Sequence, residues 1–271
     1  MINKYNSFIF DLDGTVYRGE SIIPNADKTI NHLKQLGKKV LFISNKTTGT
    51  IKDYYLFLRN FGLNIEESEI INSTIVVKNY LLKKHPEKKF FAIGEQVFVD
   101  ELVSAGLNFS NNPKEIEILL ITLDRTLNYE KLEIAAKALE YGARFFAANI
   151  DDTCPVDGGE VLDAGSTISA LEKRTHKKLE LHFGKPSEFM MQEIKSKLNN
   201  DLSKTLLLGD RLETDILIGN KLGIDTALVS TGVKLYLNGN SEIEPTYHLD
   251  SISDLIKNLY PREESNLRPK V

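Results

Sequence analysis

The stretch "FIFDLDGTVYRG", residues 8–19, sets Asp11 and Asp13 two positions apart at the end of an apolar run, with no basic residue until Arg18. Two like charges at the mouth of a buried strand repel each other and lose hydration, and both effects cost free energy. A hard divalent cation removes that cost: Mg²⁺ takes about six oxygens, often from one or two carboxylates, waters and a substrate phosphate. An Asx turn is the plainer account of Asp-x-Asp-Gly. An EF-hand is a poor fit, because Gly14 comes too early for a loop that needs its glycine at position six. Other apolar runs also end in polar groups: Ser44-Asn45-Lys46 after "VLFI", Lys185 after "LELHFG", and Asp210 after "TLLLG", with Glu213 and Asp215 just beyond.

Open parallel sheets bind ligands at the carboxyl ends of their strands. If these runs share one sheet, the acids, Lys185, Ser44 and Asn45 face a single crevice. The first and last segments must then pair, with the middle of the chain inserted as an excursion. Periodicity supports such a sheet. Short apolar runs ("SFIF", "KKVLFIS", "KKFFAIG", "IEILLIT", "ARFFAAN", "TLLLG", "TALVS") alternate with helix-periodic stretches such as "NADKTINHLKQLG" and "NYEKLEIAAKALEYG". Strand-helix alternation argues for parallel sheets with crossover helices. Two segments read as hinges: the charged, proline-containing "KKHPEKK" at 83–89 and the glycine-rich "CPVDGGEVLDAG" at 154–165.

The bulk numbers exclude several classes. A net charge of -4 over 271 residues gives no basic field for nucleic acid or an anionic membrane. No apolar run approaches the ~20 residues needed to span a bilayer. The N-terminal "MINKYNSFIF" lacks a signal-peptide pattern, and a single cysteine, Cys154, rules out an intrachain disulfide, so the cytoplasm is the default location. The five histidines make no metal-ligand spacing, and no GxGxxG or Walker A sequence occurs.

"DLDGT", "ISN", "GKP" and "GDRLETD" resemble, in order, the four motifs of the haloacid dehalogenase superfamily of phosphohydrolases. The long insertion between "ISN" and "GKP" is similar to that of members with a large α/β cap, a group that includes nucleotide, pyridoxal phosphate and para-nitrophenyl phosphatases. "GEQVFVDELVSAGL" and "LDRTLNYEKL" look closest to bacterial sugar phosphatases of arabinose-type operons. The second motif departs from the pattern, reading "SNK" where many relatives have Asn-Asn. The resemblance implies an α/β fold: a Rossmann-like parallel-sheet core, residues 1–85 and 163–271, carrying an inserted smaller α/β cap at 86–162.

It also implies roles. Asp11 would be the nucleophile that forms an aspartyl-phosphate, and Asp13 the acid and then the base. Mg²⁺ would be held by the Asp11 carboxylate, the Asp13 carbonyl and Asp210, with Asp215 orienting a metal-bound water. Ser44, Asn45 and Lys185 would bind the transferring phosphoryl. Leu123, Asp124, Asn149 and Asp151 are candidate specificity residues of the cap loops. Acid-rich loops suit polyol hydroxyls, which favours small sugar or polyol phosphates over nucleotide or pyridoxal phosphates. Caps of this class often help form dimers, so the resemblance implies a homodimer. A phosphotransferase or mutase on the same fold, and a non-catalytic phosphometabolite sensor, are the rival readings.

Overall fold

The computed structural model of the chain describes residues 1–156, 159–232 and 243–257. The apolar runs form two parallel sheets. The first has six strands in the order Tyr247–Leu249, Asp225–Val229, Thr205–Gly209, Ser7–Asp11, Lys39–Ser44 and Ile70–Asn72. Every neighbouring pair is parallel, and Phe10 stands between Leu208 and Phe42. From Ser7–Asp11 the next strand of this sheet, Lys39–Ser44, lies on one side and Thr205–Gly209 on the other. Such a reversal opens a crevice at the strands' carboxyl ends, and Asp11 sits there.

Alternation along these strands assigns their two faces. Phe8, Phe10 and Phe42 pack with Ile30 and Leu33 of the Ala26–Gln35 helix and with Leu58 of the Ile51–Asn60 helix. Ile9, Leu41, Ile43 and Leu207 pack the other way, with Val76, Val77 and Leu81 of the Ser73–Lys84 helix and Met190 and Ile194 of the Glu188–Lys197 helix. Strands buried on both faces read as continuous apolar runs rather than alternating ones, as "SFIF" and "TLLLG" do.

The second sheet has five strands in the order Leu181–His182, Arg144–Ala147, Ile118–Ile121, Lys89–Ile93 and Asn108–Phe109, again all parallel. Its Phe90, Leu120 and Phe146 join the same apolar cluster as Ile9 and Val76, so one continuous core links the two sheets. The opposite face, with Phe91, Leu119 and Phe145, lies under the Tyr129–Glu140 and Ala164–Thr175 helices.

Two expectations change. The Ala164–Thr175 helix and the Leu181–His182 strand belong with the second sheet, so a boundary at residue 162 cuts through that layer. The segment read as a hinge instead holds an antiparallel pair of strands, Thr153–Val156 against Gly159–Leu162. Glycine-rich composition fits a hairpin as well as a hinge, and pairing alone separates them. Of the core segment expected to run to residue 271, residues 258–271 lie outside the described residues.

Buried Asp163 starts the Ala164–Thr175 helix, its Oδ1 accepting from Ala164 N at 2.5 Å and from Asn149 Nδ2 at 3.0 Å. Burial pushes its carboxyl up to about 6, against ~3.9 in an unfolded chain. The folded state therefore holds this proton more tightly. Its contribution to stability is full below about pH 4 and is lost as pH rises through about 6. Asp163→Asn should flatten that slope, by roughly 2–3 kcal/mol across the window. Urea unfolding at several pH values measures it, and identical slopes in the two proteins would refute the assignment.

Candidate active site

Asp11 ends its strand fully buried, and the chain turns at once: the amides of Thr15, Val16 and Tyr17 all donate to Leu12 O, at 3.3, 2.9 and 3.1 Å. Gly14 makes that turn at φ +91°, and a Cβ there would fall 2.5 Å from Asp210 Oδ2. Only glycine satisfies both the left-handed backbone and the close approach. Gly209 has the second requirement alone, since its Cβ would stand 2.2 Å from that of Asp215. The Asp-Gly and Gly-Asp pairs of the sequence are thus the places where two strand ends come together.

Lys185 is the buried cation of the site. Its Nζ donates to Asp11 Oδ1 and to Asp215 Oδ1, the latter at 2.6 Å, while Asp215 Oδ2 accepts from Arg211 N at 3.1 Å. It reaches Asp11 from an unexpected direction, because "LELHFG" adds its strand to the second sheet. Pro186 follows through a cis peptide bond and precedes Ser187, which caps the Glu188–Lys197 helix by accepting from Met190 N at 3.1 Å. Pro186 therefore lies outside that helix.

Electrostatics here favour an added cation. Burial pushes the Asp11 carboxyl well above its ordinary range; Lys185 opposes this, while Asp215 and Asp210 reinforce it. Burial also works against the Lys185 charge, but Asp11 and Asp215 more than compensate and raise its pKa. Ligand oxygens of Asp11, Asp210 and Asp215 lie within 4.8 Å of one another, and Asp11 Oδ2 is buried with no partner. Clustered carboxylates with an orphaned buried oxygen suit a small hard cation, and Mg²⁺ fits this all-oxygen donor set.

Most of the expected residues meet in one cavity, lined by Asp11, Asp13, Ser44, Asn45, Leu123, Asn149, Asp151, Lys185, Asp210 and Asp215. Ser44 Oγ accepts from Lys46 N at 3.1 Å, which leaves its hydroxyl proton to donate. Lys46 ion-pairs with Asp13, Nζ to Oδ2 at 2.6 Å, so the departure in the second motif places a cation on the acid-base candidate. Asp124 lies outside the lining: its carboxylate pairs with Lys131 at 2.6 Å and accepts from Thr126 N at 2.8 Å. Glu213 is exposed and outside it too.

Asn45 is placed at the cavity, but its amide is engaged elsewhere. Oδ1 accepts from Lys185 N at 2.6 Å, and Nδ2 donates to Asp151 Oδ2 at 2.8 Å and to Lys185 O at 3.2 Å. Sequence reasoning missed Arg211, Asp163, Thr153 and Thr214, which also line the cavity. An arginine beside an acid reads as a solvated pair, and Asp163 reads as a helix cap, so neither carried a distinguishing signal. Cys154 is at the wall as well, where burial pushes its thiol up to about 11, away from nucleophilic use. The free volume, about 60 Å³, holds several waters but is well below the ~300–1,000 Å³ of ordinary small-molecule pockets. The space is sized for a phosphate group rather than for a whole substrate.

Comparison with known proteins agrees with this geometry. The profile of the haloacid dehalogenase-like hydrolases matches residues 8–108, and a second, HAD-hydrolase-like profile matches residues 182–255. The chain is 35% identical to the sugar-phosphatase AraL of Bacillus subtilis, over 92% of this chain and 91% of that protein. It is 30% identical to the 5'-nucleotidase YutF of the same organism, over 94% and 99%. Among solved structures, the 4-nitrophenylphosphatase of Thermotoga maritima superposes with a TM-score of 0.87 at 28% identity, covering 94% of this chain and 98% of that one. The p-nitrophenyl phosphatase of Archaeoglobus fulgidus gives 0.85 at 31%, covering 94% and 99%. The chain belongs to the haloacid dehalogenase-like hydrolases and is a phosphatase of that family.

Proposed function

We propose that the chain hydrolyses phosphomonoesters in two steps through a covalent phosphate on Asp11. The observation that carries this reading is the buried Asp11 carboxylate, held by Lys185, with Asp13 two residues on beside the same cavity. An Asp11 oxygen attacks phosphorus and the bond to the ester oxygen breaks, while Asp13 gives its proton to the departing alkoxide. Water then attacks the aspartyl-phosphate, Asp13 takes the water's proton, the phosphorus–Asp11 bond breaks and orthophosphate leaves. Lys185 Nζ and the Ser44 hydroxyl bind the phosphoryl oxygens as charge builds.

The Asp11 carboxylate, the Asp13 main-chain carbonyl and Asp210 would hold Mg²⁺. It would offset repulsion between carboxylate and phosphate and help orient the attack. Asp215 anchors Lys185 and, as part of the same carboxylate cluster, would orient a water on that cation.

Small sugar or polyol phosphates, taken with broad selectivity, are the proposed substrates. Support comes from the likeness to a sugar phosphatase; the argument from acidic loops weakens, because Asp124 turns away and Asn149 and Asp151 are already hydrogen-bonded. Nucleotide phosphates are the alternative, by likeness to a nucleotidase. Among the described residues no helix is long and apolar enough to cross a membrane, and we place the enzyme in the cytoplasm. The second sheet and its helices are proposed as the cap, running to about His182.

A phosphate-release screen over sugar, polyol, nucleotide and pyridoxal phosphates with Mg²⁺ tests the reading. Asp11→Asn should lose at least about 1,000-fold in kcat, and chelation should abolish release until Mg²⁺ is restored; undiminished release in either case rejects the mechanism. Asp13→Asn should separate the half-reactions. Nitrophenolate leaves without an acid, so para-nitrophenyl phosphate should give a burst of nitrophenol followed by slow turnover. Equal slowing of burst and turnover would take the second step away from Asp13.

A further inference from the structure

We propose that Asp151 is a positioning residue: a cap carboxylate that locks Asn45, and through it the Lys185 main chain, when the cavity is closed. The inference rests on the phosphatase reading above. Asp151 follows the Arg144–Ala147 strand of the second sheet, and its side chain is 10% exposed. Its Oδ2 accepts from Asn45 Nδ2 at 2.8 Å and from Asn149 Nδ2 at 3.1 Å, and its Oδ1 faces an Arg211 guanidinium nitrogen at 3.6 Å. The two core partners directly follow Ser44 and Asp210. One carboxylate thus reaches the residues next to the phosphoryl donor and next to a cation ligand.

Asn45 passes the constraint on, because its amide straddles the Lys185 peptide, accepting from N at 2.6 Å and donating to O at 3.2 Å. A Cβ on Gly184 would fall 2.5 Å from Asn45 Oδ1, so the amide packs directly on that backbone. A second tie runs beside the first. Thr47 Oγ1 and Thr122 Oγ1 are 2.5 Å apart, and Thr122 donates to Asn149 Oδ1 at 3.1 Å, which fixes the donor that meets Asp151. Oδ2 already accepts two hydrogen bonds, so a substrate hydroxyl would have to reach Asp151 at Oδ1, beside Arg211. The carboxylate instead acts on the reaction through Asn45 and Lys185, which the bonds on Oδ2 tie together.

Lys185 meets the phosphoryl group, which all substrates share. Loss of Asp151 should therefore reduce kcat by the same factor for every ester and weaken inhibition by inorganic phosphate in step. The experiment compares wild type, Asp151→Ala, Asp151→Asn, Asn45→Ala, the Asp151→Ala/Asn45→Ala double variant and Asp152→Ala, which alters the neighbouring exposed acid. Each is assayed with para-nitrophenyl phosphate and glycerol phosphate, with the phosphate inhibition constant measured alongside and folding checked by thermal unfolding. For Asp151→Ala the expected loss is about 10- to 100-fold in kcat on both esters. Asp151→Asn keeps one acceptor and should lose less, in the same pattern, and Asp152→Ala should match wild type. The double variant should be no worse than Asn45→Ala, because both changes break one chain of contacts.

A rise in KM confined to glycerol phosphate would make Asp151 a substrate contact and overturn the proposal. Multiplying losses in the double variant, or an unchanged Asp151 variant, would overturn it too. If Asp151→Ala does not fold, the near-isosteric Asp151→Asn decides by the same pattern. A wild-type protein that releases no phosphate defeats the phosphatase reading itself; an active wild type with an unaffected Asp151 variant defeats only this inference.

Discussion

The Lys185 ammonium, buried between Asp11 and Asp215, is the interaction on which the site depends. A charge taken out of water is costly unless matched, and removing one partner of a buried pair typically destabilises by about 3–5 kcal/mol. The sheet, the loop after the second layer and the turn after Asp210 must therefore meet at one point. Asp210 joins Asp11 and Asp215 in one cluster of carboxylate oxygens. Such a cluster would draw in a small hard cation and, with it, the anionic substrate that Asp11 alone would repel.

Much of this was legible from residue type and order. Continuous apolar runs such as "SFIF" and "TLLLG" gave away strands buried on both faces, and polar residues just after them marked the crevice. Membership of a sheet was harder to read. "LELHFG" looks like any other buried strand, but strand pairing is a long-range property, and its neighbour proves to be Arg144–Ala147. Lys185 nevertheless meets Asp11, because the loop beyond the strand crosses back to the core. The hairpin at Thr153–Leu162 was misread for a related reason: glycines announce a change of direction without saying whether the flanking residues pair.

The least legible feature was who bonds to whom. Asn45 lies 106 residues from Asp151 and 140 from Lys185, and no local pattern records such contacts. Its type and place suggested a donor aimed at phosphate, whereas the folded chain turns its amide on the protein itself. Asp151 was noticed as an acid near the site, and its partners change what that acid can do. Polar side chains reveal that a position is chemically active sooner than they reveal toward what.

These contacts also bear on how the enzyme admits a substrate. Away from the site, Phe90, Leu120 and Phe146 share one apolar cluster with Ile9 and Val76, so separating the layers wholesale would expose a large dry surface. At the cavity the layers meet instead through hydrogen bonds among Asn45, Asp151, Thr47 and Thr122. Water can replace such bonds, so a neutral one is worth only about 0.5–1.5 kcal/mol net and one to a carboxylate about 1.5–3 kcal/mol. Opening should thus begin at the polar seam, where water can take over these hydrogen bonds, while the apolar cluster stays shut. The proposed broad selectivity would then rest on Lys185 and Ser44, which would bind only what all phosphomonoesters have in common.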